Sequence, residues 1–271
     1  MANYLATDTD LTAVANAIRT KGGTSASLAF PSDFVSAINA ISGGGGSVLS
    51  DNKAFRNFRI WKNTDVSSEI SVDFSLCPDI NNMDQLNEGA TGFTKLTITP
   101  PATSKTTQRL CYNCQTMTSI VINGTIYAKS NSSSNAGFIN SNSNLTSITG
   151  LIDLSEQTWA NFYNATNYQN GLLNAKLETI SLVPGTMSMT TTNWYLGTMS
   201  ALTDDSLVSI ANALKDTYSG TITFHATPKA RLSTIMGTVA TSNGLSTFTK
   251  SASGTVTLEN FLTVTKGATL A

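Results

Sequence analysis

The stretch LTSITG, residues 145–150, decides the fold because it recurs in degenerate form along the chain. Related segments are FTKLTI, MTSIVI and LETISL, and the four begin at residues 93, 117, 145 and 177, which lie 24, 28 and 32 residues apart. They share apolar residues at the first, fourth and sixth positions, except that Gly150 ends the third segment before Leu151 and Ile152. Internal similarity at a period of about 20–50 residues is typical of a solenoid of stacked units.

The alternation within each segment predicts which side chains face the core. One short strand cannot bury its apolar face alone, so successive units must stack. In LTSI we expect Leu145 and Ile148 to point inward and the Thr and Ser between them to point outward. Another apolar residue lies seven positions before each of the first three segments, namely Leu86, Leu110 and Phe138. The fourth segment has Asn170 at that place, with Leu172 and Leu173 nearby.

These units resemble the BspA-like class of leucine-rich repeats. The resemblance covers about residues 86–185 and rests on an aromatic residue or Leu, a turn rich in Cys and Asn, and then the LTSI strand. The spacing varies, and the Ile-Pro that usually follows the strand survives only loosely in ITPP and LVPG. The resemblance implies an interaction surface, often one used in cell adhesion, and does not name a ligand.

The first 42 residues predict two short helices. Thr9 or Asp10 is a candidate cap for the first, which we expect to end at Gly22 and Gly23, and Pro31 suits the start of the second. Apolar stripes mark one face of each helix: Leu11, Val14, Ala15 and Ile18, then Phe34, Val35, Ile38 and Ile41. Two such helices cannot be stable alone, and the Gly-rich linker at 43–47 predicts a module that moves independently. The alternative is that the module only caps the larger domain.

The same region resembles a short N-terminal element found in tail, baseplate and fibre proteins of tailed bacteriophages. About 35 residues match, and the apolar, Gly and Pro positions agree together. The resemblance implies an attachment module rather than an enzyme. Its implied docking residues are Leu11, Val14, Ile18, Phe30, Pro31, Phe34 and Ile38.

The regions on either side of the repeats predict elements that cover the ends of the solenoid. Alternation in FRNFRIWKN and EISVDFSLCPDI favours strands before the repeats. After them, residues 202–216 predict a helix that is capped by Thr203 and carries two Asp residues in its first turn. Further on we expect a strand in GTITFHAT, a helix in PKARLSTIMGTVAT, and strands in LSTFTK and TVTLENFLTVTK.

Composition and charge narrow the class of protein. Only 12% of the 271 residues are charged and the net charge is −1, so the chain lacks the basic footprint of a nucleic-acid or anionic-membrane binder. The 40% hydrophobic content is enough for a folded core. The N-terminal sequence MANYLATDTDLT shows no signal-peptide pattern, and no run of 18 apolar residues predicts a membrane span.

The sequence contains no recognisable catalytic or metal-binding pattern. The single His225 falls in a predicted strand with no Gly-x-Ser-x-Gly motif, and SGGGGS lacks the Lys-Ser/Thr ending of a phosphate-binding loop. Cys111 and Cys114 stand without a second Cys pair, so we interpret them as small core residues. The sequence therefore predicts a protein that is not an enzyme, with no catalytic residue, cofactor or metal.

The predicted fold class is mixed α+β and rich in β structure. It comprises a small helical N-terminal module (1–42), the linker (43–47), a degenerate solenoid like the leucine-rich repeats (48–202), and a C-terminal cap of helices and strands (203–271).

The predicted function is that of a non-enzymatic structural protein of a tailed-phage virion, assembled in the host cytoplasm and then extracellular. Expected partners are other virion proteins and a host-surface polysaccharide or protein, in a homo-oligomer. Aromatic clusters in polar stretches are candidate contact residues: Trp159, Phe162, Tyr163, Tyr168, Trp194 and Tyr195. Alternatives are a capsid decoration or head-fibre protein, a bacterial adhesin of the BspA type and, more remotely, a carbohydrate-active tail enzyme.

Overall fold

A computed structural model divides the chain into two compact units, Met1–Asn52 and Lys53–Ala271. The structure describes residues 8–22, 69–76, 83, 89–103, 107, 110–112, 114–128, 139–140, 144–156, 176–187, 190–191 and 193–271. The repeats and the C-terminal region thus belong to one unit.

The described part of the first unit is helix α1, Asp8–Gly22. It ends at Gly22 as predicted, but it begins before Thr9 and Asp10, so neither residue caps it and that prediction was wrong. Ala15 and Ile18 are buried, whereas Val14 is 48% exposed. Each residue turns by about 100°, which places Val14 at the edge of the apolar stripe. The predicted second helix lies outside the described residues.

The second unit contains a stack of parallel strands. The strands are β1 (Glu69–Asp73), β2 (Lys95–Thr99), β4 (Ser119–Tyr127) and β6 (Ser147–Asp153), paired in the order β1-β2-β4-β6. Parallel bridges from Ser147 to Thr179 and from Ile152 to Leu182 add the fourth repeat segment. The short strands β3 (Cys111–Tyr112) and β5 (Ile139–Asn140) also pair in parallel. The unit is rich in β structure and forms a solenoid-like stack of about four turns.

Columns of buried side chains run through the stack. The first residue of every repeat segment is buried, and so is the fourth, because the strands pair in register. This confirms the inward positions predicted from LTSI. The two columns consist of Phe93, Met117, Leu145 and Leu177, and of Leu96, Ile120, Ile148 and Ile180.

A threonine corner joins successive turns immediately before each strand. The carbonyl of Thr94 accepts hydrogen bonds from the backbone N–H groups of Thr118 and Ser119, at 2.8 and 3.1 Å. The carbonyl of Thr118 accepts from Thr146 and Ser147 in the same way, at 2.9 and 3.3 Å. The hydroxyls of Thr118 and Thr146 donate to these same carbonyls. Thr after the apolar anchor therefore satisfies the backbone at the corner.

A bulge interrupts the pairing of β4 with β6. Val121 pairs with Thr149 and Thr125 pairs with Leu151, so three residues of β4 face only Gly150 of β6. Gly150 has a φ of 89°, which favours glycine, and this explains why the third repeat departs from the apolar pattern.

Substitution of Gly150 by Ala should destabilise the second unit strongly. An added Cβ would lie 2.1 Å from the carbonyl oxygen of Ile122, and the positive φ adds strain. We expect a loss of about 3 kcal/mol or more in the free energy of unfolding, measured by urea denaturation. Gly244→Ala is the matched control, since Gly244 also has a positive φ but open space around it, and it should lose only about 1 kcal/mol. Equal losses in the two variants would contradict the close packing at Gly150.

Helix α2, Asp204–Ala213, follows the last turn of the stack. The side chain of Thr203 caps it by accepting from the backbone N–H of Ser206, and Asp204 and Asp205 occupy its first turn. These features confirm the predicted start of the helix. The apolar stripe of this helix is buried and consists of Leu207, Ile210, Ala211 and Leu214.

Two serines of α2 bind the backbone of the last repeat segment. The hydroxyl of Ser206 donates to the carbonyl of Glu178 at 2.9 Å and accepts from the N–H of Ile180 at 3.1 Å. The hydroxyl of Ser209 accepts from the N–H of Leu182 at 2.7 Å. The helix thereby supplies hydrogen bonds that another strand would otherwise make.

Farther along the chain, the side chains of Asn212 and Asp216 form hydrogen bonds with the backbone of a second strand. That strand is β10, Leu245–Lys250. The amide of Asn212 accepts from the N–H of Phe248 at 2.7 Å and donates to its carbonyl at 3.0 Å. Both carboxylate oxygens of Asp216 accept from the N–H of Ser246. The segment from 206 to 216 therefore pairs with backbone groups of two sheets.

Removal of the Ser206 hydroxyl should weaken this junction. Ser206→Ala leaves the N–H of buried Ile180 without its acceptor, whereas the carbonyl of Glu178 keeps the hydrogen bond from the N–H of Thr203 at 2.9 Å. We expect a loss of about 2 kcal/mol in unfolding free energy, which is the cost of one unsatisfied buried donor. Ser233→Ala is the control, because its exposed hydroxyl makes only a 3.4 Å bond to Ala230, and its loss should stay below about 0.5 kcal/mol. Urea denaturation of both variants measures the difference. A neutral Ser206→Ala would show that the junction does not depend on this hydroxyl.

Two small sheets complete the second unit. Strands β7 (Trp194–Leu196), β8 (Thr221–Phe224) and β12 (Thr269–Leu270) form a parallel sheet in the order β12-β8-β7. Strands β9 (Met236–Ser242), β10 and β11 (Val256–Thr257) form an antiparallel sheet in the order β10-β9-β11. The predicted strands in GTITFHAT and LSTFTK are confirmed as β8 and β10.

Two C-terminal predictions were wrong in part. The helix predicted in PKARLSTIMGTVAT appears as α3, Ala226–Leu232, and stops before β9, because the residues from Gly237 onward pair with β10 and Met236 pairs with Thr257. The strand predicted in TVTLENFLTVTK is confined to β11. It is followed by α4 (Leu258–Asn260) and a π-helical turn (Phe261–Thr265), since the Thr257 hydroxyl accepts from the N–H of Asn260 and starts a helix.

A buried ion pair fixes the end of the chain. Lys266 is completely buried, and its Nζ lies 2.5 Å from Oδ1 of Asp216 and 2.6 Å from the carbonyl oxygen of Ser246. Burial of Asp216 opposes ionisation, but hydrogen bonds from Lys266 and Ser246 outweigh it and hold the pKa of the carboxyl below 3.8. Burial lowers the pKa of the Lys266 amine despite the neighbouring carboxylate. The amine also lies 5.2 Å from the centre of the Phe261 ring.

Lys266→Met should cost about 2–3 kcal/mol of unfolding free energy. The change leaves the Ser246 carbonyl and the Asp216 carboxylate without their buried donor, although partial exposure of Asp216 moderates the loss. Lys250→Met is the control, because Lys250 pairs with Asp205 at the exposed surface and should change stability by less than about 0.5 kcal/mol. Urea denaturation measures both variants. Similar losses would contradict a special role for the buried pair.

The stability contributed by Asp216 should depend on pH in a defined direction. Its pKa is lower in the folded state than in the unfolded state, so the contribution is present above about pH 3.8 and is lost as pH falls through the folded value. Asp216→Asn should therefore be less stable than the parent at pH 7, and the gap should narrow toward pH 2. A gap that is constant with pH would contradict this linkage.

Candidate interaction surface

The candidate site is the outward face of the parallel sheet, where alternate side chains of each strand point away from the buried columns. Because the strands pair in register, these side chains form rows across the sheet, about 4.8 Å apart between strands. The row nearest the threonine corner contains Glu69, Lys95, Ser119, Ser147 and Thr179. The next contains Ser71, Thr97, Val121 and Thr149.

These two rows, which precede the bulge, form the lower part of the face. They consist mainly of short polar side chains and include one ion pair. Lys95 Nζ lies 3.4 Å from Oε2 of Glu69, and both side chains are well exposed. The amide of Asn123 donates to the hydroxyl of Thr99 at 3.3 Å, which joins neighbouring strands. An exposed pair of this kind contributes little to stability, so these side chains remain available for contact with a partner.

The upper part of the face, beyond the bulge, has a different character. Tyr127 pairs with Asp153 across β4 and β6, and Thr125 pairs with Leu151. Val183 follows on the next turn, where its N–H donates to the carbonyl of Ile152. We call Tyr127, Leu151, Asp153 and Val183, together with Asn123 within the bulge itself, the bulge patch. It combines an aromatic ring, two aliphatic side chains, a carboxylate and an amide.

The exposure and bonding of these side chains leave the patch open to solvent. Leu151 is 41% exposed, one of few large apolar side chains so exposed in the described part of the chain. Tyr127 and Val183 are partly exposed. One oxygen of Asp153, Oδ1, accepts from the N–H of Ser155 at 2.7 Å, and its other oxygen accepts from no described residue.

The predicted contact residues have mixed outcomes. Trp194 in β7 is only 3% exposed, so its ring belongs to the core and does not offer a contact surface in this fold. Tyr195 is partly exposed. The other four, Trp159, Phe162, Tyr163 and Tyr168, lie outside the described residues, so the prediction of an exposed aromatic cluster stays a prediction.

The predicted attachment residues are described only in part. Leu11 is partly exposed, Ile18 is buried and Val14 is exposed on α1. Phe30, Pro31, Phe34 and Ile38 lie outside the described residues. The docking role of the module therefore stays a prediction.

His225 has a structural position at the junction of β8 and α3. It directly follows the strand and caps the helix, because its Nδ1 accepts from the backbone N–H of Thr227 at 3.2 Å. Cys111 and Cys114 are buried, as expected of core residues. Within the described ranges, no group of three or more His, Cys, Asp or Glu residues is placed to hold a metal ion.

Sequence reasoning missed the bulge patch. The departure at Gly150 was visible in the sequence, but the pairing of Tyr127 with Asp153 depends on the two additional residues that β4 carries at the bulge. Asn123-Gly124, which interrupts the apolar alternation of β4, was the available signal.

None of the described helices is long and apolar enough to span a membrane. Comparison of the chain with protein-family models, with curated proteins and with solved structures finds no match.

Proposed function

We propose that this chain is a non-enzymatic structural protein of a tailed-phage virion that presents its repeat domain to a host surface or a neighbouring subunit. The observation that carries the proposal is the outward face of the parallel stack. It is a broad, regular array of short side chains, and it ends in a patch with exposed apolar and polar groups. Solenoids commonly use such extended faces for binding.

The finer identity of the stack, as leucine-rich repeats of the BspA type, belongs to this proposal. The buried anchors, the Thr corner and the variable spacing agree with that class of repeat. In this assignment the insertions between strands vary in length while the strands keep their register. The repeat identity supports an adhesive or assembly role over a catalytic one.

Docking to the particle is assigned to residues 1–42 on the basis of the phage-like N-terminal pattern. The Gly-rich segment at 43–47, whose composition is that of a flexible linker, follows this module in the sequence. Most soluble oligomers are symmetric assemblies of identical chains. We propose that this chain also assembles as a homo-oligomer. Its partners are other virion proteins and a component of the host surface.

Immunogold electron microscopy of phage particles, with antibody against the full chain, tests this proposal. We expect label at the tail tip, which would support a baseplate or receptor-binding role. Label on the head would instead favour a capsid decoration or head fibre. Absence of the chain from particles would overturn the virion assignment, and label on intact uninfected cells would favour a bacterial adhesin.

A further inference from the structure

We propose that the bulge patch binds an uncharged saccharide. This inference rests on the proposed function, since it names the chemistry of the host-surface partner. It concerns residues of the described sheet, apart from the aromatic clusters expected from the sequence.

The bulge brings the required groups onto adjacent strands. Tyr127 and Asp153 are direct cross-strand partners, and Val183 follows Asp153 on the next turn. Side chains that are neighbours across strands lie about 5 Å apart, so the three span about 10 Å of the surface. Leu151 borders this row on the side toward the bulge, where it pairs with Thr125, and Asn123 lies farther along β4, within the bulge. The patch is therefore wide enough to contact a sugar ring together with its neighbour.

The side chains match the two kinds of surface that a sugar ring presents. A tyrosine ring or an aliphatic side chain can pack against the C–H face of a pyranose, with little loss of side-chain entropy for the rigid aromatic group. A carboxylate accepts hydrogen bonds from hydroxyl groups, and an amide both donates and accepts. Asp153 retains an oxygen that no described residue occupies, and Asn123 is exposed. An apolar partner would leave this carboxylate desolvated without hydrogen bonds, which is costly.

Charge on the face selects uncharged saccharides over anionic polymers. Asp73 and Asp153 lie on this face, and the single Lys95 among its described outward residues is paired with Glu69. Among the described residues of this face, a phosphate-rich or uronic-acid polymer would meet these carboxylates without a compensating cation. The same patch offers no array of basic side chains that could bind phosphate.

The test is binding of the full-length chain to an array of oligosaccharides built from uncharged hexoses and N-acetylhexosamines, with dextran and dextran sulfate as a matched neutral and anionic pair. We expect binding to at least one uncharged glycan and weaker binding to dextran sulfate than to dextran. Tyr127→Ala and Asp153→Ala should each reduce the affinity for the bound glycan by tenfold or more. Tyr127→Phe should retain binding, because the ring is kept.

Controls separate binding from folding. Thr97→Ala changes the lower part of the same face and should bind as the parent does. Thermal unfolding of every variant checks the fold, and comparison of Tyr127→Phe with Tyr127→Ala remains informative if the alanine variant is less stable. The proposal is overturned by absence of binding to every uncharged glycan, by preference for dextran sulfate, or by full binding in both alanine variants.

The two proposals fail in different ways. If particles carry the chain but no uncharged glycan binds, the saccharide inference is wrong and the virion role stands. If a glycan binds through Tyr127 and Asp153 but particles lack the chain, the virion role is wrong and the binding site stands.

Discussion

The structure depends on the need to satisfy the last edge of a parallel stack. A strand that ends a sheet carries unpaired N–H and C=O groups that invite further pairing. Here Ser206 and Ser209 of α2 bind those groups on the last repeat segment, while Asn212 and Asp216 bind the edge of β10. The polar side chains between residues 206 and 216 thus form hydrogen bonds with the edges of two sheets. The apolar stripe of α2 is buried in the core.

Within the stack, two features keep the register constant while the chain between strands varies in length. The buried columns hold one apolar side chain per turn at each level, and the threonine corners bind each turn to the one before. The cost of a longer insertion grows only slowly with its length, so spacings of 24 to 32 residues are compatible with one sheet. Variation in the insertions can therefore change the surface without disturbing the core.

The bulge between β4 and β6 links fold and proposed function. It shifts the register so that Tyr127 and Asp153 become neighbours, and it requires glycine at position 150, where the backbone of Ile122 lies close. Bulges often re-aim side chains near functional sites. In this chain the register shift lies between the rows of mainly short polar side chains and the bulge patch, which combines aromatic, aliphatic, carboxylate and amide groups.

The sequence by itself determined the repeat anchors, the inward and outward sides of each strand, and the start of α2, because apolar periodicity and helix capping are local properties. Only the tertiary structure decided the burial of Trp194, the pairing of Lys266 with Asp216, and the meeting of Tyr127 with Asp153. These depend on contacts between residues distant in the chain, and on a register shift of two residues that local propensity does not encode. The segment after Thr257 became helical although its alternation favoured a strand, because the Thr257 hydroxyl caps the helix by accepting from the N–H of Asn260.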